Sequence, residues 1–90
     1  MSSIRVEKLS REELDDRGVF HWPVWEKEKS KFDWHYDEQE QCFILKGKVK
    51  VKTENGDIVE FKKGDFVTFP KGLSCEWEIF KGVRKHYKWG

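Results

Sequence analysis

The tetrapeptide Glu54-Asn55-Gly56-Asp57 constrains the fold of this chain more than any other stretch. An Asn-Gly pair between alternating residues is the strongest short-range hairpin signal, because both positions of a two-residue turn want positive φ. The flanks agree: in KVKVKT, Val49 and Val51 alternate with Lys48, Lys50 and Lys52 as in a half-buried strand, and DIVEFK is its return. Turns at Lys63-Gly64-Asp65 and Pro70-Lys71-Gly72 set off FVTF, while SKFDWHY, EQCFILK, SCEWEIF and GVRKHYKW read as four more strands. Seven strands within residues 30–90 predict an all-β sandwich or barrel. Ahead of them, Ser10 and Glu13 carry the N-cap and capping-box pattern of one short helix or turn, which Gly18 stops. HWPVWEKEK is expected to be an arm laying Trp22 and Trp25 over the barrel, since Pro23 excludes a central strand.

Ninety residues make one domain, 1–90, divided into an N-terminal helix or turn and arm (1–29) and a barrel (30–90). A core of that size is marginal, so a closed sheet or a partner subunit helps. Two arm tryptophans are more than such a barrel is expected to bury alone, which predicts a homodimer. Lys and Arg total 18 against 17 Asp and Glu, without a clustered basic face, so neither nucleic acid nor a membrane surface is an expected partner. The first residues carry no apolar leader, and no run approaches the roughly 18 apolar residues that cross a bilayer. The expectation is a soluble cytoplasmic protein. Cys42 and Cys75 form no CxxC and no disulfide framework, which suits reduced thiols.

The turn residues also fall in a recognisable frame. Glu40 precedes Gly47 by six intervening residues, and Gly64, Pro70 and Gly72 are spaced as G-x5-P-x-G, one hairpin further on. This frame resembles the two motifs of the cupin family over roughly Phe32 to Ile79. The combination FDWHYDEQEQCFILKG, GDFVTFPKG, CEWEI and VRKHY is similar to short single-domain cupins of the ureidoglycine aminohydrolase-like branch, mostly without an assigned reaction. The resemblance implies a small antiparallel jelly-roll barrel, often dimeric, with a pocket lined from inward strand positions. It does not imply an activity.

A metal-binding cupin reads HxH-x3-4-E in the first motif and has a histidine shortly after the PxG of the second, so that imidazoles and a carboxylate converge on a divalent ion. This chain keeps Glu40 of that set, and Cys75 stands at the second-motif histidine position. One count puts Trp34 and Tyr36 at the remaining positions; the other puts Asp33 and His35 there. Alternation places Phe32, Trp34 and Tyr36 on one face of the strand. Burying three aromatics is favourable at about 25 cal/mol per Å², whereas burying the polar set needs a metal or several partners. The aromatic face is therefore expected inward, with Trp34→Ala as destabilising as Tyr36→Ala and His35 in solvent. The other register leaves open a Zn or Fe site of Asp33, His35, Glu40 and Cys75.

Cys42 shares the inward face of Glu40 and is either a core thiol or a pocket partner of Cys75. Val83, Lys85, Tyr87 and Trp89 alternate with Arg84, His86 and Lys88. The first set is expected inward, with Lys85 as a partner for Glu40, and His86 is expected in solvent. Trp77 either lines the pocket or fills it. Three functions follow from these residues. A binding module would hold a small organic molecule among Trp34, Tyr36, Trp77 and Tyr87, oriented by Glu40 and Lys85. An enzyme would use Glu40 as acid or base, or as a ligand, with help from Cys75 or a metal, on a small ureide, amino acid or sugar-like substrate. A packed barrel would act as a dimeric interaction protein.

Overall fold

The computed structural model describes residues 4–90. Its helix α1 (Arg11–Asp16) forms where the capping box lies: Ser10 Oγ accepts from the Glu13 amide, and Glu13 Oε1 accepts from the Ser10 amide, both at 3.1 Å. Gly18 ends this segment with φ 72°, a conformation glycine adopts without a Cβ penalty. A 3₁₀ turn (Val19–His21) then leads into the sheet.

Seven strands pair antiparallel: β1 (Arg5–Glu7), β2 (Val24–Lys27), β3 (Ser30–His35), β4 (Glu40–Thr53), β5 (Ile58–Lys62), β6 (Phe66–Phe69) and β7 (Ser74–Trp89). Two corrections to the sequence reading concern strands. EQCFILK and KVKVKT are one continuous strand, and SCEWEIF runs on into GVRKHYKW, so five strands rather than seven follow Ser30. The arm contributes a strand of its own. β2 begins directly after Pro23 and lies at the sheet edge beside β7, where the missing Pro23 amide proton does not interrupt the ladder.

The two long strands, β4 and β7, pair along their length and bend together. Their register shifts between Ile44 and Val49. At that bend Gly47 has φ 108°, and a Cβ there would lie 2.6 Å from the Gly82 carbonyl oxygen and 2.7 Å from Val83 Cα. Only glycine allows so close an approach, so Gly47 is what lets the sheet fold over. Below the bend, the first half of β4 lies between β6 and the end of β7; beyond it, the second half lies between β5 and the start of β7. The sheet thereby closes around a core that includes Val49, Val51, Phe61, Phe69 and Ile79, all at most 2 % exposed.

The β4–β5 hairpin forms at Asn55-Gly56 with a different turn from the one expected. The Gly56 amide donates to the Thr53 carbonyl at 2.9 Å and the Thr53 amide to the Asp57 carbonyl at 2.8 Å, while no described non-glycine residue has positive φ. This is a three-residue loop closed by a left-handed Gly56, in place of a two-residue turn with Asn55 also left-handed.

The N-terminal segment covers the outer face of the sheet. Leu14, Val19 and Phe66 form a second cluster against which Phe20, Trp22 and Phe43 pack. Lys8 pairs with the buried carboxylate of Asp65, whose other oxygen accepts from the Lys62 amide at 2.9 Å. This cover corrects the placement of His86, expected in solvent. It is half-buried, its Nδ1 lies 2.9 Å from the Trp22 carbonyl oxygen, and its ring meets Phe20 edge-on at 5.8 Å. The arm tryptophans also find cover within the chain, Trp22 against Phe66 and Trp25 against Trp77, so they do not themselves require a second copy. No helix among the described residues is long and apolar enough to cross a membrane.

Candidate functional site

Alternation along the end of β7 sends Val83 and Lys85 to the interior, 2 % and 4 % exposed. An ammonium so placed needs compensation for lost hydration, and β4 supplies it. Lys85 Nζ lies 3.1 Å from each carboxylate oxygen of Glu40, forming a buried bidentate pair. Aromatic faces enclose the cation: the rings of Trp25 and Trp77 both have centroids 4.9 Å from Nζ, and Phe69 follows at 6.0 Å. Trp25 reaches this position because β2 pairs it directly opposite Lys85. Burial pushes the Glu40 carboxyl above its ordinary range, and the Lys85 charge and hydrogen bonds pull it partly back.

Tyr36 stands beside the pair. Its ring stacks on Phe69 at 4.8 Å and 7°, and its hydroxyl accepts a 3.1 Å hydrogen bond from Trp77 Nε1. Burial raises the Tyr36 pKa, with a further push from the charge of Glu40, so the hydroxyl keeps its proton.

These groups line a cavity of about 520 Å³, within the size range of small-molecule sites. Glu40, Lys85, Tyr36 and Trp77 are its buried members, and Trp34 and Trp89, 46 % and 41 % exposed, are its most exposed indoles. Trp25, Phe32 and Tyr87 complete the aromatic walls, and Lys27 and Asp33 add exposed charges of opposite sign.

The structure thus brings Trp34, Tyr36, Glu40, Trp77, Lys85 and Tyr87 of the expected pocket to one cavity. Trp34 lines the cavity as expected but is 46 % exposed, whereas Tyr36, two residues further on and past the end of β3, is 1 % exposed. The two cysteines lie elsewhere. Cys42 is fully buried in the core, where desolvation pushes its thiol up to about 12. Cys75 pairs in register with Trp34 and faces a second, more open depression of about 660 Å³, and burial raises its thiol to about 11. Both thiols are free. Asp33, expected at the pocket only in the alternative register, lines the cavity, and Lys27 was missed; alternation carried no signal for Lys27, since its placement depends on β2 pairing with β7.

The metal alternative does not find its ligands together. His35 is exposed on β3, with Nδ1 2.7 Å from Ser74 Oγ and Nε2 3.7 Å from Asp37. Both Glu40 oxygens are occupied by Lys85. Among the described residues no three His, Cys, Asp or Glu side chains form a group that could hold a metal ion. The histidine-rich set of a metal-binding cupin and the residues present here do not match.

A bent antiparallel barrel with a pocket on the inner side of β3, β4 and β7 places the chain in the cupin class. It belongs to the EutQ-like cupin domain family, whose model matches residues 14–87. Among solved structures, the chain is 51% identical to a DUF861 family protein from Thermotoga maritima, covering 98% of this chain and 100% of that one with a TM-score of 0.96. The Clostridium difficile EutQ protein shares 22% identity over 71% of this chain and 50% of its own, with a TM-score of 0.65. The cupin domain of Schizosaccharomyces pombe Cnp3 shares 20% over 97% and 64%, with a TM-score of 0.59. At these lower identities the likeness is one of fold. Comparison with curated proteins gave no match. These matches support the cupin superfamily; they do not bear out the narrower ureidoglycine aminohydrolase-like branch.

Proposed function

We propose that this cupin binds a small organic molecule in the cavity above the Glu40–Lys85 pair. The observation that carries the reading is the shape of that site: about 520 Å³ walled by aromatic side chains, with Glu40, Lys85 and Tyr36 as its buried polar groups. Apolar walls with a few convergent polar groups are the usual chemistry of a ligand site. The half-exposed indoles of Trp34 and Trp89 support the reading too, since they leave flat apolar surface facing the cavity. Binding is favoured over general acid or base catalysis by Glu40. A base must reach the substrate's proton, and the Glu40 carboxylate is 3 % exposed and ion-paired through both oxygens to Lys85.

The test is a small-molecule library screened by the five indole N–H resonances of the protein. Binding should shift the Trp34 and Trp89 signals and leave that of Trp22, which packs outside the cavity against Phe66, in place. A library in which no compound moves Trp34 or Trp89 would remove the reading.

A further inference from the structure

We infer, on the reading that this cavity is a ligand site, that its ligand is a flat, uncharged molecule presenting a carbonyl oxygen to the Tyr36 hydroxyl. The argument starts from the hydrogen-bonding capacity around the pair. Indole Nε1 can only donate, so in the 3.1 Å bond with Trp77 the Tyr36 oxygen is the acceptor. The Tyr36 O–H therefore still has its own proton to give, and no described residue accepts it. Tyr36 is 1 % exposed, and a buried hydroxyl proton without an acceptor is unfavourable. The Glu40 oxygens accept from Lys85, and neither receives the Tyr36 proton. Around the pair the cavity therefore offers a donor and asks for an oxygen.

Charge narrows the choice. Glu40 and Lys85 neutralise each other, and Lys27 and Asp33 are one cation and one anion, so the four ionisable lysine and carboxylate groups lining the cavity sum to zero. An anionic ligand would place a second negative charge beside Glu40 with Lys85 already paired. A cationic ligand would meet Lys85 with both Glu40 oxygens engaged. Either would be desolvated without a counterion, whereas a neutral carbonyl would not. Flatness follows from the walls: the indoles of Trp34 and Trp89, 46 % and 41 % exposed, line the cavity, and a planar group stacks well against such rings.

Three probes of one shape test this: benzamide, benzoate and benzylammonium, titrated separately into the protein and followed by the Trp34 and Trp89 indole resonances. Benzamide should bind tightest, by at least about fivefold over either ion, as expected for one added hydrogen bond without an uncompensated charge. Tyr36→Phe, which keeps the ring and its stacking, should weaken benzamide about tenfold and leave benzylammonium unchanged. Benzylammonium or benzoate binding tighter than benzamide to the unaltered protein would overturn the inference, with no need for the variant to fold. Equal benzamide affinity in Tyr36→Phe, with its thermal unfolding still cooperative, would overturn it as well. If the library screen above moves Trp34 and Trp89 but benzamide shows no preference, the inference fails alone. If nothing moves them, the pocket reading fails with it.

Discussion

Two concavities share Asp33 and Trp34, and their polar groups are handled in opposite ways. In the aromatic cavity, Glu40 and Lys85 are withdrawn from water, paired at 3.1 Å and enclosed by rings. In the open depression, His35 and Ser74 meet at 2.7 Å where His35 is exposed to water, and Cys75 lies at its buried edge. Both hold titratable groups close together, yet burial sets them apart. A pair in water exchanges solvent for a partner at little gain, while a pair in the core depends on its partner and the groups around it for its compensation. That difference makes the first a candidate recognition site and leaves the second a solvated surface.

The comparison is broken most severely by removing one member of the buried pair. Lys85→Met should cost about 3–5 kcal/mol in chemical unfolding, because Glu40 is left charged or must take up a proton in the core. Tyr36→Ala should cost about 2–5 kcal/mol, as large-to-small core changes do, losing both the Phe69 stack and the acceptor for Trp77. Trp34→Ala, on the same face of the same strand, should cost only about 1 kcal/mol because its ring is 46 % exposed. An equal loss for the two would mean that Trp34 is buried in solution. His35→Ala in the open depression should stay within about 0.5 kcal/mol.

Two further measurements sharpen the contrast without large energies. Near pH 8 both thiols, raised to about 12 and about 11, should be protonated and slow to alkylate, with 7 %-exposed Cys75 reacting before fully buried Cys42. For Glu40 the folded pKa is raised, so the native state holds its proton to higher pH than the unfolded chain does. The stability this contributes is present below the unfolded value of 4.5 and declines as pH rises from there through the folded pKa. The difference in unfolding free energy between the native protein and a Glu40→Leu/Lys85→Met double variant should therefore fall over that interval, and a rise would reverse the sign assigned to Glu40.

Much of this was legible in the residues because turns and alternation are local. The capping box at Ser10 and Glu13, the hairpin at Asn55-Gly56, the inward Val83 and Lys85, and the partnership of Lys85 with Glu40 all stand where spacing put them, while Tyr87 is half-buried and Trp89, expected inward with them, is 41 % exposed. What was misjudged depends on the whole sheet. Alternation tells which side of a strand a residue faces but not how far along the barrel it sits, so Trp34 and Tyr36 shared a face and differed in depth. The glycines at 47 and 82 read as strand ends, whereas the close approach of β4 and β7 turns them into a bend within continuous strands. Pro23 was read as excluding a central strand, and the edge strand that follows it is set by long-range pairing of Val24–Lys27 with β7. His86 was assigned by its polar neighbours, and the N-terminal segment that covers it comes from the far end of the chain.

The central claim is that Glu40 and Lys85 act as one unit at the heart of the cavity. A double-mutant cycle on unfolding free energy, with Glu40→Leu, Lys85→Met and the two combined, tests it directly. The single variants should each be strongly destabilised and the double variant much less than their sum, giving a coupling of at least about 2 kcal/mol. Additive losses, with a coupling within about 0.5 kcal/mol of zero, would contradict the claim.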